Sequence, residues 1–228
     1  MKKSVFSTTL LSLALLISGF AQAQGIETVY SLKFDSTAAV KAAMTELFED
    51  DDLRGSKATL YAHDYGVPGD GTHTIVGDYD SYAARSKFSK ARMESHGWAK
   101  YLLATQGTEL VSADLVAVVK DYGKPRHTAG YLVAYTMQVG DPGRYVAALD
   151  KLHDAIGDPG VLRLVGIRSG PANVTHAVLI GAEDFVAANE YLDKLLTSDA
   201  YAAFVNEVDD VRKIHNVAMY RRVGAWGY

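Results

Sequence analysis

The sequence contains two copies of one pattern, and this repeat constrains the fold more than any other feature. The stretch THTIVGDYDSY (72–82) resembles THAVLIGAEDF (175–185), 103 positions later. At this offset identical residues coincide at Thr72/Thr175, His73/His176, Ala84/Ala187, Ser95/Ser198 and Ala99/Ala202. Sustained self-similarity of this kind indicates a duplicated supersecondary unit. We therefore divide the chain into a first half, 24–124, and a second half, 125–228.

Each half follows the order β-α-β-β-α-β. Alternating apolar residues in ETVYSLKF (27–34) and SKATLYAHDY (56–65) are typical of half-buried strands. Ser36 is placed to cap the first helix, and a long helical stretch from about Ser81 is expected to break near His96-Gly97. The second half repeats this order with strands near 130–139, 161–168, 174–181 and 214–223 and helices near 142–156 and 184–208. The pattern predicts an α+β fold made of two tandem ferredoxin-like (βαββαβ) modules.

The end of the second helix in each half carries a recurring aromatic pattern. Ser-x-x-aromatic-x-x-aromatic stands as SHGWAKY (95–101) and SDAYAAF (198–204), after a third strand that begins with Thr-His. In these features the chain resembles the dimeric α/β-barrel superfamily, which includes antibiotic-biosynthesis-monooxygenase-like, EthD-like and NIPSNAP-like proteins. The resemblance covers both halves. It implies an intrachain pseudo-dimeric α/β barrel, which would allow the protein to be a monomer with an internal pseudo-dimer; the sequence leaves the oligomeric state open.

The resemblance does not extend to a haem site. In some haem-degrading relatives a Trp, an Asn and a His form that site. Here Trp98 occurs in one copy only, with Tyr201 at the matching position, and neither half has an Asn early in its first strand. The i, i+3 pairs Trp98/Tyr101 and Tyr201/Phe204 instead predict an apolar stripe that packs the helix on its sheet.

Strand alternation gives each sheet two faces. The face predicted to pack on the helices of the first half carries Tyr30, Leu32, Phe34, Ala58, Leu60 and Ala62. The opposite face of the second strand, with Thr59, Tyr61, His63 and Tyr65, is expected to face the barrel. The matching strand VLRLVGIR (161–168) contributes Arg163 or Arg168, depending on which of the two points inward.

Tyr61, His63, Tyr65 and Arg163 are therefore our candidate ligand-binding residues, for an aromatic or anionic small molecule between the sheets. The alternative is that these side chains fill a small barrel and form hydrogen bonds with each other.

His73 and His176 form the second candidate group. Each opens a third strand directly after a loop, where a neutral imidazole can fix the turn. Because both copies carry the histidine, a structural role is favoured over a metal or proton-transfer role. A metal site normally needs three or four ligands, and neither histidine belongs to an H-x-H or H-E-x-x-H pattern. We predict no metal, and in the absence of nucleotide-binding motifs no cofactor.

The N-terminus resembles a secretory signal peptide. Lys2 and Lys3 precede an apolar stretch (5–20) and the small-residue sequence Ala21-Gln22-Ala23. The apolar stretch is shorter than the roughly 20 residues that span a bilayer, so we predict cleavage after residue 23, no stable membrane anchor, and a periplasmic or secreted protein. The remaining 205 residues contain 21 basic and 27 acidic side chains, a net charge of −6 with histidine neutral. This balance does not support a nucleic-acid partner, and without cysteine there are no disulfides or thiolate metal sites.

Three functions are compatible with these features. The first is binding of a small aromatic or apolar molecule between the two sheets. The second, permitted by the resemblance, is a cofactor-independent monooxygenase-like or isomerase-like enzyme. The third is a packed structural scaffold without a ligand.

Overall fold

The computed structural model describes residues 25–157 and 160–228, except for the side chain of Asp52. The expected signal peptide, 1–23, lies outside the described residues. In the first half the described elements are β1 (Ile26–Lys33), α1 (Thr37–Phe48), β2 (Lys57–Tyr65), β3 (His73–Tyr79), α2 (Tyr82–Glu94), α3 (His96–Ala104) and β4 (Glu109–Asp121). In the second half they are β5 (Tyr131–Val139), α4 (Pro142–Ile156), β6 (Val161–Ser169), β7 (His176–Ala182), α5 (Phe185–Leu196), α6 (Asp199–Val208) and β8 (Arg212–Trp226).

The strands form one closed barrel in the order β1-β3-β2-β8-β5-β7-β6-β4. All neighbouring strands are antiparallel. The first half supplies β4-β1-β3-β2 and the second half supplies β8-β5-β7-β6, so both halves use the same internal order. The halves join where β2 pairs with β8 and β4 pairs with β6. The predicted α+β class and the barrel are confirmed.

The helices begin at side-chain caps that the sequence provides. The Ser36 hydroxyl accepts a hydrogen bond from the amide of Ala39 at 3.2 Å, which confirms the predicted cap. The predicted break in the first-half helix lies at Ser95, which ends α2 and caps α3. The single helix predicted over 184–208 is wrong, because Ser198 repeats this arrangement and caps α6.

The Thr-His pair that revealed the repeat forms the same corner in both halves. The Thr72 hydroxyl accepts a hydrogen bond from the amide of Phe34 at 3.2 Å. The Thr175 hydroxyl accepts one from the amide of Val139 at 2.8 Å. Each threonine thus satisfies a backbone group at the end of the first strand of its half, where the chain leaves the sheet toward its first helix.

The predicted helix-facing side of the first-half sheet is confirmed for most of its residues. Leu32, Phe34, Ala58 and Leu60 are buried against α1 and α3 in one apolar cluster. The second half has its own, larger cluster between its sheet and α4, α5 and α6. The barrel lumen lies on the opposite side of both sheets. Among the described helices, none is long and apolar enough to span a membrane.

Candidate functional site

Two of the four predicted ligand-binding residues meet at one end of the barrel. Tyr61 and Arg163 belong to what we call the barrel-end cluster, formed by Glu27, Tyr61, Asp78, Asp121, Arg126, Arg163 and Tyr228. Arg126 donates to Tyr61 at 2.8 Å, to Asp78 at 2.7 Å and to Glu27 at 3.1 Å. Arg163 donates to both oxygens of Asp121, at 2.5 and 2.9 Å, and also to Glu27. Their polar groups are therefore occupied by one another.

Burial and charge act in opposition on the carboxylates of this cluster. Burial raises the pKa of Glu27 above its ordinary value, against the opposing charge of Arg126. Burial also acts to raise the pKa of Asp78, but Arg126 and hydrogen bonds from Glu27 and Tyr228 lower it overall. Arg163 belongs to the second half and Arg126 to the connection between the halves, while Glu27 and Asp78 belong to the first. The cluster consequently ties the two halves together.

His63 and Tyr65 lie elsewhere. The His63 ring faces the lumen, where its nitrogens lie 2.8 Å from the Gly71 carbonyl and 2.7 Å from the Thr74 hydroxyl, and its pKa is lowered by burial. Tyr65 does not face the lumen as expected: its side chain is 62% exposed. The cause is an irregularity in the β2–β8 pairing between His63 and Tyr65, which breaks the strand alternation.

Between these groups the lumen holds a cavity of about 160 Å³. Aliphatic side chains form most of its wall, and its polar members are Glu27, Tyr61, Thr74, Asp114, Arg126, Thr136 and Tyr220. Burial raises the pKa of Asp114. This space is small compared with common ligand pockets, which have volumes of roughly 300–1,000 Å³.

The paired histidines stand at the Thr-His corners. The His73 ring lies 2.9 Å from the Thr72 hydroxyl and 2.8 Å from the Thr37 hydroxyl, and it stacks on Phe34 at 4.0 Å. His176 repeats the first contact, 2.9 Å from the Thr175 hydroxyl. Burial and the nearby charges of His63 and Arg221 lower the pKa of His73 to about 4.

A larger cavity than that of the lumen lies among the described residues between the first-half sheet and its helices. This first-half cavity has a volume of about 460 Å³. The equivalent space in the second half measures only about 40 Å³. Aromatic side chains form much of the first-half wall: Tyr30, Tyr79, Phe88, Trp98 and Tyr101. The duplicated architecture is therefore hollow in one half and packed in the other.

One row of residues across the sheet accounts for this difference. In the first half Gly77 on β3 pairs with Thr28 on β1 and with Ala58 on β2. In the second half Ile180 on β7 pairs in the same way with Val133 on β5 and Leu162 on β6. Three branched aliphatic side chains thus stand where the first half has threonine, glycine and alanine. Their absence removes the apolar volume that fills the second half.

The helix that covers this row also carries a less apolar residue in the first half than in the second. Arg92 on α2 lines the first-half cavity, and the repeat places the buried Leu195 of α5 at the matching position. The Arg92 Nε atom is buried and has no hydrogen-bond partner among the described residues. Its guanidinium lies 5.0 Å from the centre of the Trp98 ring. A buried donor of this kind is costly unless something accepts its proton.

The missing side chain at Gly77 brings two oxygens to the cavity wall. A Cβ atom at this position would stand 2.9 Å from the Tyr79 hydroxyl and 3.0 Å from the Thr28 hydroxyl. Burial raises the pKa of Tyr79 above its ordinary value, so its phenol stays protonated at neutral pH. The wall thus combines an arginine, two hydroxyl groups and aromatic rings.

The sequence patterns did not single out this cavity, although the repeat carried a signal for it. A comparison of the two copies position by position places Gly77 opposite Ile180, Ala58 opposite Leu162 and Arg92 opposite Leu195. Trp98 and Tyr101, expected only to seal the helix on the sheet, stack at 5.1 Å and also line the cavity.

The cavity lining does not fit a haem held by histidine. The residues that line it include no histidine and no cysteine among the described part of the chain. A proximal histidine or thiolate is the usual axial ligand of protein haem. The described residues likewise contain no group of three or more His, Cys, Asp or Glu side chains arranged to hold a metal ion.

Solved structures share this fold. A provisionally named monooxygenase from Lactobacillus acidophilus NCFM superposes with a TM-score of 0.57 at 10% identity, over 89% of this chain and 96% of that chain. A second provisionally named monooxygenase, from Fusobacterium nucleatum, superposes with a TM-score of 0.57 at 14% identity, over 90% of this chain and 95% of that chain. A heme-binding protein from Thermus thermophilus superposes with a TM-score of 0.51 at 12% identity, over 88% of this chain and 92% of that chain.

These likenesses define the class of fold. The chain has the dimeric α/β-barrel fold, with both sheets of the barrel supplied by one chain. Identities this low carry no information on activity. No protein-family model matches the sequence, and no curated protein matches it. The narrower resemblance to monooxygenase-like, EthD-like or NIPSNAP-like proteins stays a prediction.

Proposed function

We propose that the protein binds a small, mostly apolar, ring-containing molecule with an acidic group, and that it does so in the first-half cavity. The observation that carries this proposal is the row Thr28–Gly77–Ala58, whose counterpart in the second half is Val133–Ile180–Leu162. Filling this row would stabilise the first half as it does the second. A chain that keeps this row small loses packing energy in the first half and keeps a cavity there.

The chemistry of the wall supports this ligand class. A volume of about 460 Å³ is within the range of common ligand pockets. The Tyr30, Trp98 and Tyr101 rings offer apolar faces. Arg92 makes no ion pair with any described carboxylate and leaves its Nε proton unpaired. A carboxylate or similar anion on the ligand would satisfy it with charge-assisted hydrogen bonds.

Binding is favoured over the enzymatic alternative by what the lining lacks. Among the described residues that line the cavity there is no Asp, Glu or His, and the lysine of the lining, Lys57, forms an ion pair with Asp80 at 3.5 Å. A cofactor-independent monooxygenase or an isomerase that starts by removing a proton from carbon needs a base within hydrogen-bond reach of it. The scaffold alternative requires a packed interior, and the hollow first half argues against it.

Other sequence-based expectations enter the proposal with adjustments. We take each half, 24–124 and 125–228, as one ferredoxin-like module, because both halves share one strand order. We take the chain to be exported, since residues 1–23 resemble a signal peptide. Tyr61, His63 and Arg163 are proposed to hold the barrel together rather than to bind the ligand, since their polar groups are already paired.

Three naphthalene probes test this function. We expect Trp98 fluorescence and calorimetry to detect binding of 1-naphthoate, with weaker binding of neutral 1-naphthylmethanol and of 1-naphthylmethylammonium. Arg92→Met should weaken 1-naphthoate by about ten- to hundredfold, since one hydrogen bond to a charged group contributes roughly 1.5–3 kcal/mol. The same variant should leave 1-naphthylmethanol nearly unchanged.

A cavity-filling variant provides the control. Ala58→Leu should abolish binding of all three probes without loss of stability, whereas the exposed Lys41→Met should change neither property. Unaltered binding of 1-naphthoate to both Arg92→Met and Ala58→Leu would overturn the proposal.

A further inference from the structure

The two helix pairs that the repeat makes equivalent carry opposite charge. Helices α2 and α3 contain five basic residues and one acidic residue. Helices α5 and α6 contain one basic residue and four acidic residues. At two exposed positions the charge reverses directly, since Lys87 matches Glu190 and Lys90 matches Asp193. In a chain with acidic overall balance, the helices over the first-half cavity thus carry net positive charge, with Arg92 turned to the cavity and Lys100 in an ion pair with Glu46.

Exposed apolar side chains lie next to these charges. Met93 is 76% exposed, Leu103 66%, Leu110 58% and Leu102 52%. Leu102 and Leu110 belong to the lining of the first-half cavity, and Met93 and Leu103 each follow a lining residue directly in sequence. At two of these positions the second half is more polar or less exposed: Asn206 replaces Leu103, and Val205 replaces Leu102. Apolar side chains grouped at the opening of a cavity mark an interaction surface.

Helix α2 itself is held weakly. None of its thirteen residues is buried, whereas its counterpart α5 buries Ala188, Leu192 and Leu195. The reason is the hollow beneath it, since Phe88 and Arg92 border the cavity instead of a packed core. Helix α2 forms the wall between the cavity and the outside. Because it buries so little surface, moving it away from the sheet costs little free energy.

We propose that α2 and α3 dock the protein on an anionic lipid surface, with the cavity opening toward the bilayer. A helix surface that combines Lys and Arg with exposed Leu and Met is typical of proteins that lie in the membrane interface. The cations meet the headgroup charge and the apolar side chains enter the acyl boundary. The inference rests on the proposed function in one respect: an apolar ligand is most concentrated in the bilayer and would enter the cavity from there.

The acidic helix pair of a second copy is the competing partner for the same surface. A contact between the basic pair of one chain and the acidic pair of the next is not self-complementary. It would continue into rings or open chains of copies, and it would seal the cavity opening with protein. A lipid surface satisfies the same charges and leaves the cavity accessible, so the observations favour it.

Vesicle co-sedimentation of the full chain tests the proposal. We expect binding to vesicles of phosphatidylcholine mixed with phosphatidylglycerol at least tenfold tighter than to phosphatidylcholine alone, with a steep loss as salt is added. The double variant Lys87→Glu, Lys90→Asp carries the residues found at the matching positions of the second half. Its affinity for the phosphatidylglycerol-containing vesicles should be at least tenfold lower. Leu103→Asn, also copied from the second half, should lose severalfold.

Two controls separate this surface from net charge and from the cavity. Lys41→Glu with Lys194→Asp makes the same charge change at exposed sites elsewhere and should keep vesicle binding. Ala58→Leu should keep vesicle binding and lose 1-naphthoate binding. The Lys87/Lys90 variant should lose vesicle binding and keep 1-naphthoate binding. If neither the unaltered protein nor any variant binds 1-naphthoate while vesicle binding is intact, the proposed ligand-binding function is wrong and the docking surface still stands.

Three results would overturn the docking proposal. They are equal binding to both kinds of vesicle, binding to neither, and equal losses in the Lys87/Lys90 variant and its charge-matched control. Concentration-dependent self-association in sedimentation velocity without lipid, abolished by the Lys87/Lys90 variant, would assign the surface to a second copy instead.

Discussion

Gly77 and Ile180 occupy the same place in the two halves of the barrel, each at the centre of a three-residue row across its sheet. Where isoleucine stands, the space between sheet and helices is about 40 Å³. Where glycine stands, it is about 460 Å³. In a duplicated fold each half can be compared with the other at equivalent positions, and here the comparison identifies the first half as the one with a cavity.

The first prediction exchanges residues along these rows. Ala58→Leu adds apolar carbon to an existing cavity, so we expect the free energy of unfolding to rise by about 1–2 kcal/mol, at roughly 0.8 kcal/mol per buried methylene. Leu162→Ala opens a packed site and should lower it by about 2–5 kcal/mol. Chemical denaturation measures both. Equal destabilisation by the two variants would mean that the first half has no free volume.

The second prediction concerns the threonines of the repeated corners. Thr72→Val and Thr175→Val remove the acceptor for the amides of Phe34 and Val139, so each should cost about 1–3 kcal/mol, the penalty for a buried backbone donor without a partner. Thr72→Ser and Thr175→Ser keep the hydroxyl and serve as controls. If valine and serine variants unfold at the same denaturant concentration, the hydroxyl groups do not stabilise the corner.

Much of the fold could be predicted because its signals are local. The period-two pattern around Leu60 and Tyr61 assigned the two faces of β2 correctly up to the irregularity before Tyr65, and the serine caps marked the helix starts. The repeat then required both halves to use the same elements. The break at Ser198 was missed because the surrounding residues favour helix on both sides, and only the comparison with Ser95 reveals it.

The candidate site was harder to predict because a cavity results from side chains that are absent. The YAHDY stretch attracted attention with its polar and aromatic residues, yet Tyr61 is paired with the distant Arg126, and His63 with Gly71 and Thr74 on the neighbouring loop and strand. The hollow depends on Gly77 and Ala58 lying side by side on neighbouring strands beneath Arg92. Strand register decides this, and alternation alone does not give the register.

The third prediction follows from the low pKa of His73. The folded state lowers this pKa from 6.5 to about 4, because burial opposes the charged ring. Between these values the unfolded chain binds more protons, so stability should increase with pH from about 4 to 6.5, by roughly 1–3 kcal/mol. His73→Gln, which retains hydrogen-bonding groups for Thr72 and Thr37, should reduce this slope.

Denaturation midpoints measured across that pH range test the expectation. Burial also lowers the pKa of His63 and His176. The variant should therefore keep a smaller slope of the same sign. An unchanged slope in His73→Gln would show that His73 accepts a proton without penalty in the folded protein.

The last prediction concerns Arg126, which neutralises two buried carboxylates where the halves meet. Arg126→Met leaves Glu27 and Asp78 with less opposing charge, so we expect a loss of about 3–5 kcal/mol near neutral pH, typical of breaking a buried ion pair on one side. Adding Glu27→Gln removes one of the two stranded charges and should restore part of this loss, which a double-mutant cycle measures.

The pH dependence of the Arg126→Met variant supplies an independent check. In the native protein the pKa of Asp78 is lowered overall, so its contribution to stability is present above the ordinary value of 3.8 and is lost as pH falls through the folded value. Without Arg126, burial dominates, so the pKa of Asp78 should rise above its ordinary value and the already raised pKa of Glu27 should rise further. Their carboxyl groups then favour folding when protonated, and stability is lost as pH increases. The difference between native and variant unfolding free energies should therefore shrink from pH 7 toward pH 4, and a difference that stays constant would mean that Arg126 acts through packing and not through charge.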